Sequence, residues 1–353
     1  MEKSSDSILL FGGRSEERLV SVASAQNIET HFPFTNRWFI GPDGKVFEIS
    51  SAELRSHENP FEVLFKPRGS QIASSISELI VRIKSQSIFL ALHGTEGEDG
   101  SLQRELESAG VAFTGSGSES SHNCFDKIKA KKIVTAAGLP VAPQLEFKKS
   151  ALASNFRQTL EGFFKEHGKI AIKPSESGSS IGLHIIDRAQ ALAAVIDQLQ
   201  TSHYDSYLAE KFITGRELTV GVISENSQGP SQIKALPASE VILMDGHNFD
   251  YKGKYLGHGT REITPASLTP VELKSVQTLA LDAHRRLGCF GYTRTDMILS
   301  DDGPVFLETN TLPGLSKASF VPQQLAIARI SIGDFVGRQL ELACERKKSA
   351  QAK

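Results

Sequence analysis

The 353-residue sequence predicts an open α/β domain at its amino end, followed by an α+β body. Two strand–glycine–helix junctions predict the first part: Ser7 to Phe11 runs into Gly12-Gly13, and Ser87 to Leu92 runs into His93-Gly94. Apolar runs of this length read as strands buried on both faces, and ligand groups gather beyond the carboxyl ends of such strands. The second part is predicted by a hairpin, Thr293 to Thr311, in which apolar and polar residues alternate with a period of two.

In chain order, a helix through Ser21 to Ile28 follows Gly13, and the first domain closes near Gly117. Asp126 to Ala137 is a lysine-rich helix stopped by Gly138 and Pro140. Lys169 to Lys173 is a strand leading into a loop of small residues, Pro174 to Gly182. Asp187 to Leu199 carries apolar residues at helical spacing. Tyr207 to Lys211 and Glu217 to Ile223 are strands, and Met244 to Ala266 is irregular. A helix from Pro270 to Leu287, the hairpin, and a closing helix from about Ile330 complete the chain. These elements divide it at 1–117, 118–213 and 214–346, with a polar tail at 347–353.

A net charge of −2 argues against a nucleic-acid binder, which carries a basic surplus. The three cysteines, Cys124, Cys289 and Cys344, have neither metal spacing nor a disulfide framework, which predicts a reducing compartment. The first residues have too short an apolar run for a signal peptide, and no window reaches the roughly 18 apolar residues of a membrane span. A cytoplasmic enzyme without a membrane partner is expected.

The hairpin carries the strongest chemical signal. Its even positions hold Arg294, Asp296, Glu308 and Asn310, and its odd positions Met297, Leu299, Val305 and Leu307. One face is therefore apolar, while the other presents a guanidinium, two carboxylates and an amide. Hard oxygen ligands beside a fixed cation suit Mg²⁺ and phosphate. The register decides the matter, because directly opposed residues share a face. Asp296 must oppose Glu308, and Arg294 must oppose Asn310. This predicts a five-residue loop, Ser300 to Pro304; a loop one residue shorter separates the carboxylates unless a bulge restores the register. The bland reading is a solvated charged face.

Other segments are weaker. Gly115-Ser-Gly117 starts a dinucleotide fingerprint but has Ser120 at the third glycine position, and Gly162 to Lys169 fails as a P-loop because Ile170 stands where Ser or Thr is needed. Ser177 to Gly182 follows the strand-end Lys173 and can fold over phosphates; otherwise it is a flexible turn. Lys127 and Lys173 can each supply a cation to a phosphate, whereas Lys129, Lys131 and Lys132 read as solvated. Glu210 to Ile213 reads as a strand edge able to meet an adenine, with Glu217 placed for ribose hydroxyls, although a generic charged strand looks the same.

Taken in order, these segments resemble the D-alanine–D-alanine ligase family of the ATP-grasp superfamily. The matching strings are Gly12 to Ser21, His93 to Gly100, Lys173 to Gly182, Asp250 to Tyr255, Arg294-Thr-Asp296 and Glu308 to Gly314, spread from about Ile8 to Leu342. The resemblance implies an ATP-grasp fold with three lobes and a two-step reaction. The carboxylate of one D-alanine takes the γ-phosphoryl group of ATP, and the amine of a second D-alanine then displaces phosphate. It implies Asp296, Glu308 and Asn310 as ligands for two Mg²⁺ or Mn²⁺, and Lys127, Lys173, Lys254 and Ser180 at the phosphates. Glu210, Lys211, Ile213 and Glu217 match the adenosine pocket.

On the substrate side, Glu17 matches the group that holds the first D-alanine's ammonium, with Ser179 and Tyr255 linking it to the loop. His93 lies near the acyl group, Arg294 faces the oxyanion, and Ser319 with Gly314 holds the second substrate's carboxylate. Tyr255 favours an amine acceptor over D-lactate. The departures are Leu19 for an acidic residue, Leu315-Ser316 for Met-Thr, and Phe320 for leucine beside the second substrate. The resemblance also implies a homodimer supplying peptidoglycan precursor. The alternative is a relative that uses another D-amino acid or a D-hydroxy acid as acceptor.

Overall fold

In a computed structural model of the chain, residues 6–83, 85–153, 156–178, 180–225, 232–243 and 260–351 are described. They form three sheets in chain order. The first holds β1 (Ser7–Gly12), β2 (Asn36–Ile40), β3 (Val46–Glu48), β4 (Gln71–Ala73), β5 (Ser87–Leu90) and β6 (Ala112–Phe113), in the order β4-β3-β2-β1-β5-β6. Strands β2, β1, β5 and β6 run parallel, as the apolar runs predict, and β3 and β4 extend the edge in antiparallel fashion. Every residue of β1 is buried.

The second sheet holds β7 (Gln144–Lys148), β8 (Ile170–Pro174), β9 (His184–Ile186) and β10 (Ser206–Lys211), in the order β7-β10-β8-β9. The third holds β11 (Arg216–Ser224), β12 (Ile233–Ala235), β13 (Ser239–Leu243), β14 (Thr260–Ile263), β15 (Tyr292–Ser300) and β16 (Gly303–Asn310). Thr260 to Ile263 thus corrects the irregular reading of that stretch: it pairs with β13 as the edge strand. Among the described residues, six α-helices go beyond the sequence reading: Ser51–Arg55, Ile76–Ile80, Ser101–Ser108, Ser118–Phe125, Phe156–His167, which contains the rejected P-loop glycine Gly162, and Phe320–Ile327.

The apolar core under the first sheet draws on both ends of the chain. Ile8, Leu10, Phe89 and Phe113 share it with Leu312, Leu325, Phe335, Val336 and Leu340. The last three lie on the closing helix Ile332–Gln351, which runs on through residues expected as a frayed tail. Cys124 and Cys289 are distant in sequence, yet their sulfurs lie 3.6 Å apart as free thiols. Among the described residues no helix is long and apolar enough to cross a membrane.

The β15–β16 hairpin departs from the expected loop. Ser300 pairs with Gly303 around Asp301 and Asp302, so the turn is tight rather than five residues long. Met297 opposes Phe306 in that register, and a bulge then shifts the ladder so that Asp296 opposes Glu308 and Arg294 opposes Asn310. Leu307 is the extra residue, because a bulge sets two residues against one. The required pairing holds, but by a different device. The bulge also reassigns the apolar face. Phe306 takes the core position beside Met297, while Val305 and Leu307, expected in the core, are only half-buried.

Candidate active site

The glycines after β1 let the chain turn sharply into the helix Arg18–His31. Gly12 has a φ of 96°, and a β-carbon there would strike the Ile40 carbonyl oxygen. Ser21 locks the junction: it accepts from Gly12 N at 2.7 Å and donates to Ala91 O at 2.6 Å. This places Glu17, the residue before the helix, in a buried position. Its carboxylate packs against Gly178, where a β-carbon would collide with it, and against Gly94. The small-residue loop thus touches the acidic residue through a glycine. Ser179, Lys254 and Tyr255 lie outside the described residues.

Two adjoining cavities meet at Lys127, Ser177, Gly178 and Glu308. The inner cavity lies between the second and third sheets and is lined by Lys173, Ser180, Lys211, Ile213, Glu217 and Asp296. Leu307, Ile298, Ile185 and Ala171 supply its apolar walls, so the bulge delivers Leu307 to this surface. Glu210 is held between two ammonium groups, with Lys173 Nζ at 2.6 Å and Lys131 Nζ at 2.5 Å. Burial opposes its charge, but the two lysines prevail and hold its pKa down at about 2. Lys131 corrects the reading that it is solvated: it is fully buried, and its ammonium also reaches Phe306 O at 3.2 Å. Lys132 is exposed as expected, and Lys129 is half-buried with its ammonium against Asp126 and His122. Lys127 and Lys131 lie one helical turn apart on the buried stripe with Ala130 and Val134, a signal available in the sequence.

The outer cavity is lined by Glu17, His93, Arg294, Asn310, Gly314 and Ser319, with Phe320 at one side. Asp296 accepts from Thr219 Oγ1 at 2.6 Å and from Arg294 Nε and a terminal guanidinium nitrogen at 2.8 and 2.7 Å. Asn310 Nδ2 donates to it at 3.2 Å. Lys127 Nζ lies 3.4 Å from Glu308. Among the described residues no group of three or more His, Cys, Asp or Glu is placed so as to hold a metal ion by itself. The hairpin therefore offers two carboxylates and an amide oxygen. That set fits Mg²⁺, which keeps waters and substrate phosphates in the rest of its shell.

His93 lies at the end of β5 with both ring nitrogens engaged. Nδ1 is 2.8 Å from Leu312 O and Nε2 is 2.9 Å from Ser24 Oγ. A carbonyl only accepts, so Nδ1 carries the proton, and burial lowers the pKa and keeps the ring neutral. The ring thereby pins the Leu312–Leu315 turn to the first sheet and its helix Arg18–His31. Glu98, unread in the sequence, adds to this, accepting from Gly94 N at 2.9 Å and Leu312 N at 3.2 Å. Desolvation, with Glu17 nearby, pushes its pKa up to about 8.

Ser319 stands at the N-cap position of the helix Phe320–Ile327, but its hydroxyl turns away from the helix to lie 2.8 Å from Ser316 Oγ, and a β-carbon on Gly314 would lie 2.7 Å from Ser319 Oγ. The first-turn N–H groups of a helix suit a carboxylate. Phe320 is buried, with its ring centroid 5.9 Å from Arg294 Cζ. Gln324, also unread, fixes the helix by donating to Thr219 O and Ser239 Oγ and accepting from Gly221 N.

Two family models match the chain: D-ala D-ala ligase N-terminus over residues 6–116 and D-ala D-ala ligase C-terminus over residues 133–341. A D-alanine–D-alanine ligase of Leptospira interrogans is 36% identical over 348 residues, covering 96% of this chain and 98% of its own. One from Syntrophobacter fumaroxidans is 37% identical over 300 residues, covering 83% and 93%. Among solved structures, VanG D-Ala:D-Ser ligase from Enterococcus faecalis superposes with a TM-score of 0.80 at 27% identity, covering 97% of this chain and 100% of that one. The shared fold is the ATP-grasp fold. With both family models matched in sequence order and relatives aligned over nearly its full length, the chain belongs to the D-alanine–D-alanine ligase family.

Proposed function

We propose that this chain joins two D-alanines into D-alanyl-D-alanine, with ATP converted to ADP and phosphate, to supply peptidoglycan precursor in the cytoplasm. The observation that carries the reading is the Arg294, Asp296, Glu308 and Asn310 face at the junction of the two cavities. In this reading the lobes are 1–117, 118–213 and 214–346, and the chain works as a homodimer, which light scattering reads directly.

The inner cavity takes ATP, with adenine along Lys211 to Ile213, ribose at Glu217, and phosphates at Lys127, Lys173 and Ser180. Lys254 adds a further phosphate contact. Glu210 keeps Lys173 charged and aimed. Asp296, Glu308 and Asn310 would hold two Mg²⁺, or Mn²⁺, which when bound offset the charge of the β- and γ-phosphates.

Glu17 binds the first D-alanine's ammonium, and Ser179 with Tyr255 closes the loop over it. The substrate carboxylate then attacks the γ-phosphoryl group, giving an acyl phosphate and ADP. His93, neutral and doubly hydrogen-bonded, positions the wall beside the acyl group. Ser319 and the helix behind it take the second D-alanine's carboxylate. Arg294 swings from Asp296 to the oxyanion that forms when the amine adds, since fixed donors aimed at developing charge lower the barrier.

The test measures ADP and phosphate release with D-alanine alone, then with D-serine or D-lactate added, and identifies the products by mass. D-Alanine-dependent ADP formation with dipeptide as main product is expected, and Asp296→Ala abolishes it. No D-alanine-dependent ADP would overturn the reading.

A further inference from the structure

This inference rests on the ligase reading and concerns its second step. An acceptor amino acid carries an ammonium group at neutral pH, and an ammonium has no lone pair with which to attack. One proton must leave before the carbon–nitrogen bond can form.

Four carboxylates line the outer cavity: Glu17, Glu98, Glu262 and Glu308. Glu17 lies against Gly94 and Gly178, on the side of the first substrate. Both oxygens of Glu98 accept backbone N–H bonds. Glu308 faces Lys127 on the metal-binding hairpin. Glu262, on β14, is the one at the acceptor end. Gln323 Nε2 approaches its Oε2 at 3.5 Å, the weak limit of a hydrogen bond, and donates to Ala318 O at 3.0 Å. Glu262 is thus held beside the turn that carries Ser319, and no strong donor ties up its oxygens among these contacts.

We propose that Glu262 is the general base of the second step, taking a proton from the ammonium of the acceptor bound at Ser319.

Its surroundings suit the task. The charged group facing it is Arg294 of β15. On β13 it opposes Val241, while Glu240 opposes Ile263 and is paired with Arg216. The helix Phe320–Ile327 presents no titratable side chain. Burial pushes the Glu262 carboxyl up to about 7, against the weaker opposing effects of Gln323 and Arg294. A base works best with a pKa near the working pH. The proton moves from nitrogen to a Glu262 oxygen, leaving a free amine. The nitrogen lone pair forms the bond to the acyl carbon, the bond from that carbon to the phosphate oxygen breaks, and phosphate leaves with the electron pair and the second amine proton.

The experiment compares two acceptors in the full chain with ATP, Mg²⁺ and D-alanine. D-Alanine needs the base; hydroxylamine, uncharged at neutral pH, captures the acyl phosphate without one. In Glu262→Gln, kcat/KM for the D-alanine acceptor falls by about a hundredfold, while D-alanyl hydroxamate forms within about threefold of the unsubstituted rate. The rise of acceptor kcat/KM as pH passes about 7 is lost in the variant, and Glu262→Asp restores part of it. Equal losses with both acceptors would mean a structural role and overturn the proposal, as would unchanged dipeptide synthesis. If the unsubstituted chain forms neither ADP nor hydroxamate, the ligase reading itself fails.

Discussion

The two cavities share a wall but treat charge in opposite ways. In the inner one each deep charge meets its partner, and Glu210 between Lys131 and Lys173 stays ionised to about pH 2. In the outer one carboxylates are held where desolvation raises them, Glu98 to about 8 and Glu262 to about 7. A polyanion such as ATP needs cations already aimed. Zwitterionic amino acids need sites where a proton can be held or moved. Under the proposed function the contrast follows from the chemistry each cavity would serve.

The harshest way to break the contrast is Glu210→Gln, which leaves two buried ammonium groups facing each other. Breaking a buried ion pair from one side costs roughly 3–5 kcal/mol, and urea unfolding should show a loss of that order. The depressed pKa fixes the pH dependence. Glu210 contributes fully above its ordinary value of 4.5, and the contribution fades as pH falls through about 2. The gap in stability between the two proteins therefore narrows across that window. A constant gap would show that the carboxylate's ionisation is not what matters.

Asp296→Ala comes next, because Asp296 lines the inner cavity and holds Arg294 and Asn310 of the outer one. Turnover measured as ADP release should fall at least about a hundredfold, while the unfolding midpoint shifts little. A milder change separates pairing from packing. Deleting Leu307 lets the tight register run straight through, with Asp296 still opposite Glu308 and Arg294 opposite Asn310. Turnover at saturating ATP should stay within about threefold, while KM for ATP rises about tenfold, or 1.4 kcal/mol, as the inner cavity loses an apolar wall. Collapse of turnover would mean that the twist of the bulge, not the pairing, sets the site. The smallest effect belongs to Phe320→Leu. Losing the ring near Arg294 is worth roughly 0.5–1 kcal/mol, so KM for the acceptor should move by a few fold. An unchanged acceptor profile would remove Phe320 from specificity.

How much of this was legible in the sequence depended on whether a signal was local. The parallel strands β1 and β5 follow from apolar runs ending in glycine, and the charged face of the hairpin follows from alternation. The bulge at Leu307 has no such signal, because the pairings on either side of it differ by a single residue. Lys131 reads as solvated in sequence because its burial depends on Glu210, a partner 79 positions away. Glu98 and Glu262 look like surface acids in sequence, and only the cavity around them changes their chemistry. The helix Phe320–Ile327 contains Pro322 and is too short to show a helical period.

The shared core has a consequence for how the protein is made. Ile8, Leu10 and Phe89 leave the ribosome early, but Leu312, Phe335 and Leu340, which share the same core, leave more than 200 residues later than Phe89. During synthesis the amino-terminal sheet, complete at Phe113, therefore waits with part of its apolar surface bare while roughly two-thirds of the 353 residues are still to come. Burial of that surface and delivery of the Leu312–Leu315 turn to the outer cavity come from the same late segment, and a chain cut before Leu312 is expected to expose this core.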